Sequence, residues 1–174
     1  IGVLLPTKGQ SFLLEAVKLL KDKTDKNIKL DILGEGPCEK ELKQLASDLG
    51  IEDDVMFHGH VQAEQDLFNL CLNADIFALS SIQEGFPRVL YEAMALHLPI
   101  VSTDCGGVTG LMSDKGNALI VTPGEPKEMA DAFAVIIEDE KLRQKLIREG
   151  GNTIQTIFDK IDYDQIKTLV MKHY

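Results

Sequence analysis

The chain has no apolar run long enough to cross a bilayer and no signal-peptide pattern at its start, so the sequence predicts a soluble protein of the cytoplasm. It also lacks a surplus of basic residues. Its 18 Lys and Arg against 28 Asp and Glu give a formal net charge of -10, which argues against the cationic face that nucleic-acid backbones require. Cysteine is scarce: Cys38, Cys71 and Cys105 are odd in number and without metal-type spacing, so reduced, mostly structural thiols are expected. The four histidines show no ligand spacing, and for His58 and His60, which alternate at a strand end, a satisfied or solvated imidazole is the expectation. No repeat, low-complexity tract or linker divides the 174 residues, and 44% hydrophobic content suffices for one sizeable core, hence one domain over residues 1–174.

What is present is an alternation of short apolar runs and amphipathic segments, the mark of parallel strands joined by crossover helices. Strands are expected at Gly2 to Leu5, Lys29 to Leu33, Val55 to His58, Ile76 to Leu79, Ile100 to Ser102 and Ala118 to Val121. Helices are expected at Ser11 to Lys21, Cys38 to Leu49, Glu64 to Leu72, Pro87 to His97 and Lys127 to Glu138. Lys141 to Glu149 and Asp164 to His173 continue as helices with no further strand, a helical tail over about residues 141–174. The predicted fold class is α/β, with a parallel sheet of about six strands between helical layers. Because Ile1 to Leu5 already reads as a strand, with no initiator Met, the chain is expected to begin inside a larger architecture.

Such a sheet puts ligands at the carboxyl ends of its strands. One of the loops there, Gly34-Glu-Gly36, has Glu39 where a dinucleotide fingerprint wants its third glycine, so a tight turn with Pro37 opening a helix is the better reading. Asp162-Tyr-Asp164 resembles a paired-acid metal motif, but it lies beyond the last strand and reads as a helix cap. The informative loop is Ser80 to Phe86. It carries Glu84 and leads to Pro87, which suits the first turn of a helix whose exposed amides, including those of Arg88 and Val89, would favour an anion. Glu92, five residues beyond Pro87, falls roughly 7 to 8 Å from that helix start, a span that fits a group bonded to a pyrophosphate, such as a ribose. Two plainer readings stand beside this one. Glu92 pairs with Arg88 one turn back, and Glu84 is an acid stabilised by the helix dipole.

The spacing Glu84-x7-Glu92 within "EGFPRVLYEAMA", followed by "LPIVSTDCGG" and "GNALIVTPGEPKEMADA", resembles the C-terminal domain of the large retaining glycosyltransferase family with the E-x7-E motif. "PTKGQSFLLEAV" and "ILGEGPCEKELKQLASDLGIEDDVMFHGHV" fall in that family's order, so the likeness runs nearly end to end. The resemblance implies a Rossmann-like three-layer half of the two-domain GT-B class, binding a nucleotide-diphosphate sugar. An N-terminal acceptor domain is then absent from this chain. By that likeness Glu84 is the catalytic residue beside the donor sugar and Glu92 takes the ribose hydroxyls. Gly85 and Phe86 offer backbone groups to the sugar, the amides of Val89 and Leu90 meet the phosphates, Lys8 neutralises the pyrophosphate, and the backbone near Val61 holds the base. It also implies sugar transfer with retention of configuration, no metal or other cofactor, a glycan or lipid-linked acceptor in surface-glycan synthesis such as capsule or lipopolysaccharide, and contact with the inner membrane only through the absent domain.

Two positions depart from the family pattern. Val3 stands where Arg is usual, and Gly110 where Glu is usual; without that Arg the diphosphate site loses fork-like donors that Lys8 does not replace. A catalytically inert nucleotide-sugar-binding or regulatory module is therefore the alternative function. A nucleotide-sugar epimerase of similar build fits the E-x7-E context poorly.

Overall fold

Apolar runs and amphipathic segments alternate in the structure much as they do in the sequence. A computed structural model of the chain describes residues 1–160 except Gln62 and Phe86. In chain order it contains α1 (Gln10–Lys21), β1 (Leu30–Leu33), α2 (Glu39–Asp48), β2 (Val55–Gly59), α3 (Glu64–Leu72), β3 (Phe77–Leu79), α4 (Val89–Ala95), β4 (Ile100–Thr103), β5 (Leu119–Val121), α5 (Pro126–Glu138) and α6 (Glu140–Asp159). Every strand pair is parallel, as crossover helices require. Five of the six expected strands form within a residue or so of their expected limits.

Alternate residues of the strands bury on opposite faces, which is why these runs are apolar throughout. Val101, Leu119 and Val121 pack with Leu13 and Leu20 of α1 and with Met129, Phe133 and Ile136 of α5. Their neighbours Ile100 and Ala118 join Phe77 and Leu79 against Leu90 and Met94 of α4 and Ile154 of α6. A third cluster sets Ile32 and Val55 against Leu14 and Val17 of α1 and Leu42 and Ala46 of α2. Leu90 and Ile100 are wholly buried, and each side chain of that size contributes roughly 1.5–3 kcal/mol over its exposed state.

Three details differ from the sequence reading. First, the sheet is divided: β1 pairs with β2, and β3, β4 and β5 form a second sheet in that order. Gly2 to Leu5 is not a strand between them. The Gly2 and Leu4 amides donate to the carbonyls of Leu33 and Glu35, and the Leu4 carbonyl accepts from Cys38, so the segment lies at and beyond the carboxyl end of β1. Second, α4 begins at Val89 rather than Pro87, after a turn in which the Leu90 amide bonds the Pro87 carbonyl at 3.1 Å. Third, α6 runs on past the expected limit at Glu149, through Gly150 and Gly151, to Asp159. A Cβ on Gly150 would lie 3.4 Å from Met94 Cγ and one on Gly151 3.2 Å from His97 Cε1, so close packing against α4 overrides the low helix propensity of glycine. The expected helix at Asp164 to His173 and the acids Asp162 and Asp164 lie outside the described residues.

Candidate functional site

The loop that follows β3 is fixed from three sides. On the first side a 3-10 turn at Pro6–Lys8 ends in Gly9, whose φ of 64° belongs to the left-handed region. A Cβ there would sit 2.0 Å from the Ser80 carbonyl oxygen, so only glycine lets the two backbones pass. The passage is sealed by the Ser80 hydroxyl, which donates to the Lys8 carbonyl at 2.9 Å, and by the Ile82 amide, which donates to the Thr7 carbonyl at 2.8 Å. On the second side stands Gly106, with φ of 53°, where a Cβ would come within 1.8 Å of the Glu84 carbonyl oxygen; the Gly107 amide donates to the Gly85 carbonyl at 3.1 Å. On the third, the buried Thr103 hydroxyl at the end of β4 donates to the Ser81 carbonyl at 2.6 Å. The run "TDCGG" is thus a backing for the Glu84 loop.

This clamp determines where Glu84 points. Its Oε1 receives Lys8 Nζ at 2.5 Å and the Ser81 hydroxyl at 2.7 Å. The carboxylate is 13% exposed and Lys8 30% exposed, while Ser81 is only 1% exposed. An acid, a cation and a buried hydroxyl therefore meet at the carboxyl end of β3, on the rim where α/β sheets bind ligands. Because Lys8 and Ser81 converge on one oxygen, the carboxylate is held in one orientation. Such a group is suited to accept hydrogen bonds from a polyhydroxylated ligand and to stabilise positive charge near it.

Of the other predicted residues, Gly85 is exposed in the same loop, Val89 is half-buried at the start of α4, and Val61 is half-buried just past β2. Leu90 is wholly buried and its amide is already bonded to Pro87, which leaves it poorly placed for a phosphate. Phe86 lies outside the described residues. Glu92 is exposed in the first turn of α4, so at 1.5 Å per residue it stands roughly 4 to 5 Å from the helix start, nearer than expected. No ion pair with Arg88 forms among the described residues.

Sequence reasoning missed Ser81 and Thr103. The signal was the pair Ser80-Ser81 directly after an apolar strand: hydroxyls where a chain leaves the core seldom lack a bonding duty. Among the alternatives, His58 is satisfied by Asp31 at 2.6 Å, as expected. Gly34 and Gly36 serve a packing need, since a Cβ on either would strike the carbonyl oxygens of Gly2 and Leu4 at 2.0 and 2.3 Å. The cysteines are free, and burial pushes the Cys71 and Cys105 thiols up from their ordinary pKa. Among the described residues no group of three or more His, Cys, Asp or Glu is placed to share a metal ion, and no helix is long and apolar enough to cross a membrane.

Known proteins resemble this chain in sequence and fold. The lipopolysaccharide core biosynthesis glycosyltransferase LpsE of Rhizobium meliloti is 32% identical over 92% of this chain and 45% of its own length. Mannosylfructose-phosphate synthase of Agrobacterium fabrum is 31% identical over 91% of this chain and 36% of its own. The chain thus spans less than half the length of these relatives. Among solved structures, the C-terminal domain of the Francisella tularensis group 1 family protein LpcC superposes with a TM-score of 0.82 at 26% identity, covering 91% of this chain and 83% of that one. Anabaena HepE in complex with UDP-glucose gives 0.84 at 27% identity, covering 99% of this chain and 48% of that one. The fold is therefore the Rossmann-like kind found in the C-terminal half of GT-B glycosyltransferases. The model of the family "Glycosyl transferases group 1" matches residues 1–153. The chain belongs to the group 1 glycosyltransferases.

Proposed function

We propose that this chain is the donor-binding half of a glycosyltransferase that moves a sugar from a nucleotide diphosphate to a glycan or lipid-linked acceptor, with retention of configuration. The observation that carries the reading is the convergence of Lys8 and Ser81 on Glu84 at the carboxyl end of β3. In this reading Glu84 is the catalytic group beside the donor sugar, with the Gly85 and Phe86 backbone as further sugar contacts. Lys8 exchanges its carboxylate partner for the diphosphate and offsets the negative charge that grows on the leaving group. The Val89 amide assists it, whereas Leu90 contributes packing. Glu92 accepts from the ribose hydroxyls, and the backbone near Val61 holds the base. Neither a metal nor another cofactor is part of this reading.

An acceptor domain preceding this one completes the cleft, and the relatives' greater length supports that division. UDP is the first nucleotide to test, because HepE was solved with UDP and UDP-glucose. A role in surface-glycan assembly is supported by the lipopolysaccharide relative, and a cytoplasmic place follows from the nucleotide donor.

Calorimetric titration of the chain with UDP, GDP and their sugars tests the donor site, and nucleoside diphosphate release by the chain carrying its upstream domain tests transfer. Binding of one nucleotide sugar and turnover of it by the longer protein are expected. Binding without turnover would favour the inert module that Val3 and Gly110 suggest, and absence of binding would overturn the reading.

A further inference from the structure

The carboxyl end of β1 and β2 carries restraints of its own, apart from the clamp on the Glu84 loop. The two strands pair residue for residue from Leu30 with Val55 to Ile32 with Phe57, but Leu33 then meets Gly59, so β2 has one extra residue, His58. The His58 ring bonds Asp31 at 2.6 Å. Gly59, with φ of 64°, then turns the chain out of the strand toward His60 and Val61.

The peptide that joins Gly59 to His60 is held at both of its polar ends by consecutive residues of the loop after β1. The Gly59 carbonyl accepts from the Gly34 amide at 2.8 Å, and the His60 amide donates to Oε1 of Glu35 at 3.1 Å. A peptide is planar, so these two bonds fix its plane and set the direction in which the chain enters Val61. Glu35 is itself tied down. Its carbonyl accepts from the Leu4 amide at 2.9 Å, and the glycines on either side of it pack on backbone with no room for a Cβ. Val61 is half-buried, and among the described residues its amide and carbonyl make no backbone bond. Glu35 and His60 are both exposed. Water would replace the bond between them at little cost to the fold, so its effect falls on where the loop points.

We propose that Glu35 is a positioning residue for nucleobase selection, an inference that rests on the reading that the Val61 backbone holds the base of the donor. One residue offers one donor and one acceptor, the complement of the carbonyl and ring N–H that lie side by side on the edges of both uracil and guanine. The two bases differ in size. Which of them reaches that pair is therefore set by where the loop holds Val61, and Glu35 holds the loop.

Calorimetry with UDP, GDP and inorganic pyrophosphate tests this on the wild-type chain, Glu35→Ala and Glu35→Gln. Both variants lose the charge, but only Gln keeps a side-chain oxygen that reaches the His60 amide, so the difference between them isolates the hydrogen bond. The wild-type chain should prefer one nucleotide, and Glu35→Gln should keep that preference. Glu35→Ala should weaken the preferred nucleotide about tenfold, the scale of one hydrogen bond, and bring UDP and GDP within roughly threefold of each other. Pyrophosphate should bind the two variants alike, and His60 amide exchange should quicken in Glu35→Ala alone. A UDP-to-GDP ratio that Glu35→Ala leaves unchanged, equal ratios in the two variants, or a loss for pyrophosphate as large as for the nucleotide would overturn the proposal while the donor site stands. So would a wild-type chain that binds both nucleotides alike, or a Glu35→Ala chain that unfolds, since the bond would then serve the fold. A wild-type chain that binds neither nucleotide would overturn the donor-site reading and this proposal with it.

Discussion

Lys8 and Ser81 bond the same oxygen of Glu84, at 2.5 and 2.7 Å, although 72 residues separate the lysine from the serine's neighbour Ser80, which holds the Lys8 carbonyl. The side chain and the backbone of Lys8 are thus tied to one loop. Binding a diphosphate would move the first tie and leave the second.

The two acids should therefore separate in their effects. Glu92→Ala is expected to weaken UDP binding by about 1.5–3 kcal/mol, the range for hydrogen bonds to a charged group. Glu84→Ala should leave bare UDP close to normal and reduce the preference for UDP-sugar over UDP. Calorimetry with both ligands reads this, and equal losses for both variants on both ligands would contradict the assignment.

Ser81→Ala should behave as a weaker Glu84 variant. It removes a buried donor to a carboxylate, so the sugar-dependent part of binding should fall several-fold while UDP affinity holds. Ser81→Thr, which keeps the hydroxyl, should recover part of the loss if the added methyl is accommodated. A Ser81→Ala variant that changes only thermal stability would show that the hydroxyl serves the fold and not the site.

Gly106→Ala and Gly9→Ala should both destabilise the chain by more than the roughly 1 kcal/mol of an average substitution, because each meets positive φ and a carbonyl oxygen closer than any real Cβ contact. By contrast Gly110→Glu has open space and should leave the urea midpoint unchanged. Val3→Arg should also fold normally, since Val3 is 52% exposed; if its guanidinium reaches the diphosphate, UDP affinity rises. A midpoint lowered as much by Gly110→Glu as by Gly106→Ala would refute the packing account.

Burial raises the Cys105 thiol pKa, with the Thr103 hydroxyl opposing the shift. The unfolded chain loses that proton near the ordinary thiol value, about 8.5, while the folded chain retains it. The contribution to stability is therefore complete below that pH and is lost as pH rises through it toward the folded value. Denaturation at pH 7.5, 8.5 and 9.5 should show stability falling, with a shallower fall in Cys105→Ala; identical slopes would discount the thiol.

The sequence revealed the fold wherever a pattern was local. Runs such as Ile100 to Thr103 are buried on both faces, and their unbroken hydrophobicity shows it. Lys8, Glu84 and Gly85 were legible too, through likeness to a family as much as through chemistry. What stayed hidden depended on distant partners. The helix expected to end at Glu149 continues because Gly150 and Gly151 pack closely on Met94 and His97, and Ser81 reads as a loop serine until Glu84 turns back onto it. The helix start at Val89 depends on a Pro87 carbonyl that captures the Leu90 amide, a turn choice that helix periodicity does not encode. The split sheet was hidden for another reason: an apolar run such as Gly2 to Leu5 specifies a strand without specifying the register it takes.

The three-sided clamp on the Glu84 loop has a consequence for protein engineering. Grafting residues 80–86 onto another parallel sheet would transplant the acid without its orientation, because the restraints come from segments 7–9, 103 and 106–107, which are remote in sequence. The smallest portable unit is the loop together with those three separate segments, and directed recombination of this site with a relative should succeed only at crossover points that inherit all of them from one parent.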